Sequence, residues 1–155
     1  MMFQFEGSTK KNKKTFYTCL YRALLFPRVF YEYDMHGNPY HFSPYSGNIH
    51  PGFMYADNGF WDTYRTVYPF LSLFYPERCT EIMKGWLNAA EEGKGWFPKW
   101  ASPGFRDMMV GTHMDAIVAD TFSRGIKFDI EKAYEYIKKD ASIPGAEDGR
   151  KVKKR

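Results

Sequence analysis

The chain has 155 residues and a mass of 18.2 kDa, room for one domain but too little for a typical two-domain enzyme. Its 44% hydrophobic and 26% charged residues exclude an intrinsically disordered chain, and no run approaches the roughly 18 apolar residues of a membrane span. The formal net charge of +4, from 22 basic and 18 acidic residues, suggests at first a nucleic-acid binder. Its location argues otherwise. Lys10, Lys11, Lys13 and Lys14, with Arg150, Lys151, Lys153, Lys154 and Arg155, supply nine of the 22 positive charges, leaving 13 basic against 18 acidic residues elsewhere, a net of −5. Such ends bind phosphate only nonspecifically, and no helix-turn-helix, zinc-finger or RNA-recognition signature accompanies them. Neither a specific nucleic acid nor a membrane is therefore expected as a partner.

Cys19 and Cys79 are too few for a disulfide framework and lack zinc-site spacing; two unrelated thiols are the simpler reading, with a single bridge as the alternative. The N-terminal MMFQFEGSTKKNKK lacks the apolar core and small-residue cleavage site of a signal peptide.

In chain order, an alternating Phe3–Glu6 segment and a Gly-Ser-Thr turn lead into a lysine run. Over Thr15–Phe26, Phe16, Leu20, Ala23 and Leu24 recur at helical spacing until Pro27. Residues 31–58 are dense in Gly, Pro, Asn, His and Tyr and predict a long ordered loop packed on something. Phe60, Tyr64, Val67, Leu71 and Phe74 then mark one buried helical stripe, kinked at Pro69. A third helix opens at Pro76-Glu77, runs through Ile82, Met83, Trp86, Leu87 and Ala90 and stops at Gly93. After the loop GKGWFPKWASPGFRD, a fourth helix is predicted over Val110–Ser123, ending at Gly125. A fifth, N-capped by Asp129, buries Ile130, Ala133, Tyr134 and Ile137 and ends near Ala141. Five helices and two long aromatic loops, with little strand potential, predict an all-α fold.

Asn58 to Arg65 is the densest cluster of site-like residues. Asp62 and Arg65, three apart, share a helical face and can hold each other in place beside the flat wall of Trp61. Carbohydrates are held this way, with a ring against C–H groups and charged groups bonded to vicinal hydroxyls. Equally open is a local reading: Asp62 favours the helix start, Arg65 makes a surface pair and Trp61 is core. His36, His41 and His50 match no common zinc spacing and instead line a polar pocket or pack locally. His113, Asp120 and Arg124 lie along one stripe of the fourth helix, either a polar seam facing a cavity or ordinary interhelical hydrogen bonds. Trp96, Phe97 and Trp100 bracket Pro98, as a sugar platform or a packed loop edge. Phosphate-loop, nucleophile-elbow and His-Glu-x-x-His motifs do not occur.

Several motifs in one order resemble glycoside hydrolase family 92, the calcium-dependent exo-α-mannosidases of gut bacteria. They are Lys14-Thr15-Phe16-Tyr17-Thr18 with Leu20-Tyr21-Arg22, Phe26-Pro27-Arg28, and Gly59-Phe60-Trp61-Asp62-Thr63-Tyr64-Arg65-Thr66 with Tyr68-Pro69. Gly95-Trp96-Phe97-Pro98-Lys99-Trp100, Met109-x-Gly111-x-His113, Ala119-Asp120, Lys127-Phe128-Asp129 and Ala133-Tyr134 continue the match. The resemblance implies a partial (α/α)6 toroid, with residues 1–14 a linker or short strand leading in, 15–141 the partial catalytic domain and 142–155 a basic tail. It places Trp61 and Asp62 at the terminal mannose, with Arg65, Trp100 and His113 supporting or lining the same pocket.

The family inverts configuration, using a glutamic general acid, an aspartic general base and a calcium ion, its carboxyl pair roughly 6.5–9.5 Å apart to admit water. Nothing in the chain matches the segments that carry those groups. It is thus expected to be an internal fragment of a mannosidase with no catalytic residue, metal site or cofactor of its own, calcium being expected for the full-length parent. Its expected partners are mannose-containing glycans and the rest of the parent, its toroid and β-sandwich; the parent type is periplasmic or secreted. The alternative is a non-catalytic helical carbohydrate-binding or interaction module.

Overall fold

A computed structural model describes residues 4–143, so most of the expected basic tail lies outside the described residues. The fold is organised around α4 (Pro76–Glu92). Proline at its first position needs no N–H partner, Glu77 favours the first turn, and Gly93 closes the helix by donating to the Ala89 carbonyl at 2.9 Å. Cys79, Ile82, Met83, Trp86, Leu87 and Ala90 fall at i, i+3, i+4, i+7, i+8 and i+11, and all are buried.

Against this face pack α2 (Phe60–Thr63) and α3 (Val67–Phe74), then α5 (His113–Ser123) and α6 (Ile130–Ser142). Trp86 is the centre: the Phe60 ring meets it edge-on at 5.0 Å, and its indole N–H donates to the buried Tyr68 hydroxyl at 2.7 Å. Burial raises the Tyr68 phenol well above the usual tyrosine range, against the smaller opposing pull of the Trp86 hydrogen bond.

The all-α expectation is corrected, and with it the partial toroid of five helices. The described residues form six helices and seven short strands in three antiparallel sheets. Of the strands, β1 (Arg28–Val29) pairs with β5 (Tyr55–Ala56), and β6 (Asn58–Gly59) pairs with β7 (Trp100–Ala101). Between them β2 (Glu32–Tyr33), β3 (Pro39–Phe42) and β4 (Ile49–Pro51) make a meander. The Gly, Asn and Ser residues that suggested a loop are its turn residues. Asp34 accepts from the backbone N–H groups of His36 and Asn38, both at 2.8 Å, and these bonds hold its carboxyl below the usual range. Ser43 Oγ accepts from the N–H groups of Tyr45 and Ser46 at 3.2 and 3.1 Å.

Other boundaries move for physical reasons. The predicted Phe60–Phe74 helix is broken before Pro69 rather than kinked at it. Pro69 has no N–H to offer the Arg65 carbonyl, so Phe70 makes the next bond, to Thr66 at 3.0 Å, and Pro69 falls in the first turn of α3. The fourth predicted helix starts late, at His113, because Met109 and Gly111 hold φ of +64° and +90°. In α6 the Asp129 carboxylate accepts from the Lys132 N–H at 3.0 Å as the N-cap, but Tyr134 is exposed, not buried. The first helix, α1 (Lys10–Ala23), begins five residues earlier than predicted: the Thr9 hydroxyl accepts from the Asn12 N–H at 3.2 Å. It buries no side chain.

The meander is fastened to α4 by a buried pair. His41 Nδ1 lies 2.9 Å from the Gly52 carbonyl, and Nε2 lies 3.0 Å from Glu92 Oε1. A carbonyl only accepts, so Nδ1 carries a proton, and a second proton must lie between Nε2 and the carboxylate. The two side chains are 0% and 8% exposed. Replacing one partner alone, His41→Leu or Glu92→Leu, is expected to cost about 3–5 kcal/mol in denaturant unfolding, because the other polar group stays buried without its partner. The double variant should lose less than the sum; strict additivity would show that the pair is not coupled.

Cys19 is exposed and Cys79 buried, and both are free. Burial, with the Asp120 carboxylate adding, pushes the Cys79 thiol up to about 12. A thiol-exchange reagent at pH 8 should therefore titrate Cys19 alone in the native chain and both thiols in denaturant.

Candidate functional site

The single turn of α2 turns its successive side chains in different directions. Phe60 goes into the core against Trp86, while Trp61 and Asp62 stay on the surface, Trp61 at 40% exposure. The turn is tied locally: Thr63 donates to the Gly59 carbonyl at 2.9 Å and receives the Asn58 amide at 3.3 Å. Asn58 is itself buried, and among the described residues its Oδ1 has no partner.

Asp62 and Arg65 do not hold each other. Among the described residues no ion pair or hydrogen bond engages the Asp62 carboxylate, which leaves both oxygens available as acceptors. The Arg65 guanidinium instead lies 4.6 Å from the Trp61 ring centre and 4.8 Å from that of Tyr64, and it donates to the Trp61 carbonyl at 3.3 Å. Tyr64, between them, keeps helical dihedrals (φ −63°, ψ −30°), so the two residues retain helical spacing and the guanidinium turns to the rings instead.

His113, the first residue of α5, stacks on Tyr64 at 4.8 Å with an interplanar angle of 9°. A continuous ladder therefore runs Trp61, Arg65, Tyr64, His113. Trp100 reaches the same region by another route: β7 pairs it with Gly59, and its ring lies over the glycine so closely that a Cβ there would sit 2.3 Å from Cζ3. Close approach of this ring is the reason for glycine at 59. The adjoining turn residue Asp57, at φ +56°, is held by Arg28 at 3.4 Å and by the Ser102 hydroxyl at 2.8 Å.

The remaining candidates take local roles. Asp120 and Arg124 form a half-exposed pair at 2.8 Å, which raises the Arg124 guanidinium above its ordinary range. Trp96 lies under the Lys139 ammonium at 4.5 Å, and Phe97 is buried. His50 bonds to the Ser46 hydroxyl at 2.8 Å, and His36 is exposed. Among the described residues no three His, Cys, Asp or Glu side chains converge as a metal site. Tyr64, assigned by its spacing to the buried stripe, is instead half-buried and stacked on His113; its position inside the Asn58–Arg65 cluster was the available signal.

This surface, with an exposed indole, an unengaged carboxylate and a stacked guanidinium, has the chemistry of a carbohydrate-facing wall. The chain belongs to glycosyl hydrolase family 92: the family model for its catalytic domain matches residues 2–155. It is similar to the family GH92 inverting mannosidase BT2199 from Bacteroides thetaiotaomicron VPI-5482, at 46% identity and a TM-score of 0.90, over 95% of this chain and 20% of that one. The GH92 α-mannosidase BT3965 from Bacteroides thetaiotaomicron is 30% identical with a TM-score of 0.77, over 89% of this chain and 19% of that one. Its complex with mannoimidazole gives 31% and 0.73, over 84% of this chain and 17% of that one. The chain thus spans about a fifth of the length of these structures. No curated protein sequence matches it.

Gly59→Ala is expected to displace the Trp100 ring and cost about 1–3 kcal/mol, the range for overpacking a close contact. A shifted tryptophan emission together with a lower denaturation midpoint would register both effects; an unchanged midpoint would refute the close contact.

Proposed function

We propose that this chain supplies part of the terminal-mannose pocket of a family 92 α-mannosidase. The observation that carries the reading is the unengaged Asp62 carboxylate beside the half-exposed Trp61. Asp62 accepts hydrogen bonds from vicinal sugar hydroxyls, and the Trp61 ring packs against the sugar's C–H groups. Arg65 donates from the N–H groups left free by its stacking, while Trp100 and His113 line the same pocket. Support comes from the family membership and from the mannoimidazole complex of a neighbour.

The general acid, the general base and the calcium site belong to other parts of the full-length parent. An inverting displacement needs carboxyl groups on both sides of the reacting bond, so one wall of a pocket does not complete it. The rest of a family 92 polypeptide is the expected partner for the apolar side chains exposed along and after α1, among them Tyr21, Leu24, Leu25 and Phe26. The α1 helix, which buries nothing among the described residues, favours such a covering.

Mannose should quench tryptophan fluorescence of the purified chain saturably, and Asp62→Ala should weaken binding at least tenfold, the equivalent of about 1.4 kcal/mol. No α-mannoside should be hydrolysed, with or without calcium. Saturable turnover by the chain alone would overturn the assignment of the acid and base to other segments, and quenching indifferent to Asp62→Ala would remove Asp62 from the pocket.

A further inference from the structure

We infer that Tyr64 is a positioning residue of this pocket: its ring, in contact with both the Arg65 guanidinium and the His113 imidazole, sets the orientation in which both groups meet a sugar. The inference rests on the mannose-pocket reading above and deepens it by naming what holds the polar groups in place.

Arg65 and His113 belong to different parts of the fold, one in the break after α2 and the other at the start of α5. Among the described residues no hydrogen bond joins them; the Tyr64 ring is what they share. On one side the imidazole lies parallel to it, at 4.8 Å and 9°. The guanidinium carbon lies over the same ring at 4.8 Å while also facing Trp61 at 4.6 Å.

An arginine held by two rings keeps its in-plane N–H groups for hydrogen bonding, and only one of them is taken, by the Trp61 carbonyl at 3.3 Å. Stacking therefore removes rotamer freedom before a ligand arrives while leaving donors to offer it. The imidazole is restrained similarly. Tyr64 covers its face, and Gly111, at φ +90°, brings backbone so near that a Cβ would lie 3.0 Å from Nε2. Among the described residues, neither ring nitrogen of His113 has a hydrogen-bond partner, so the fold does not consume its hydrogen-bonding capacity.

A purely structural Tyr64 would contribute bulk, and any apolar residue of similar volume would serve. A positioning Tyr64 must be a ring, and its hydroxyl is dispensable. The test compares the 155-residue chain with Tyr64→Phe and Tyr64→Leu, reading the NMR shifts of the His113 ring protons and the mannose affinity by tryptophan fluorescence. In the wild type and in Tyr64→Phe those protons should be displaced upfield by the stacked ring, with mannose affinities within about twofold of each other. Tyr64→Leu should return the signals towards free-histidine values and weaken mannose binding about tenfold, the equivalent of about 1.4 kcal/mol.

A folded Tyr64→Leu chain with wild-type affinity overturns the inference and leaves the pocket standing. Failure of the wild type to bind mannose overturns the pocket instead, and the His113 shifts then decide the clamp by themselves. Should Tyr64→Leu not fold, wild-type His113 signals at free-histidine positions would still refute the stack, and Arg65→Met would probe the clamp from its other face. Weakened mannose binding in Arg65→Met together with shifted His113 signals supports the coupling through Tyr64; unmoved His113 signals exclude it.

Discussion

A buried indole must find an acceptor for its N–H, and the placement of α2 and α3 around the surface cluster follows from how Trp86 meets that demand. Its proton goes to Tyr68, which locks α3 onto α4. Its ring edge receives Phe60, which fixes α2 at the same point. The neighbour of Phe60 is Trp61, so a core contact and a surface indole are one peptide bond apart. The indole N–H is satisfied without water, and the elements that bear Trp61, Asp62, Tyr64 and Arg65 are anchored beside that hydrogen bond.

A second buried polar contact organises the opposite side. The His41–Glu92 pair joins the β2–β3–β4 meander to the last turn of α4, with the Gly52 carbonyl fixing which nitrogen must carry a proton. Its contribution differs from that of Trp86. Replacing the pair with well-packed apolar residues need not weaken the fold, whereas stranding one member does, so it selects a particular docking of the meander more than it adds stability.

Much of this was readable in the sequence, for identifiable reasons. The α4 helix announced itself through Pro76, Glu77, a regular apolar spacing and Gly93, each a local signal that tertiary contacts did not override. The Asp129 cap was legible likewise. The strands were not, because each is two to four residues long and is made by pairing across turns or with segments distant in the chain, which leaves no periodic trace. Pro69 was seen, but its effect was misplaced: a proline disturbs the carbonyl four residues back, so the break falls at Arg65 and not at the proline. The stacking within the Asn58–Arg65 cluster depends on His113 arriving from α5, a contact no local spacing encodes.

The aromatic richness of the chain divides into two uses that are joined in sequence. Tyr55, Phe60, Tyr68 and Trp86 are fully buried and build the core. Trp61, Tyr64 and Trp100 remain partly open and build the ladder and platform. Stacked rings suit this second role because they fix a plane without consuming hydrogen-bonding capacity. A salt bridge between Asp62 and Arg65 would have tied up the carboxylate and the guanidinium together. Placing the guanidinium on two rings restrains it while leaving Asp62 unengaged, so the polar groups of this surface are not spent on each other.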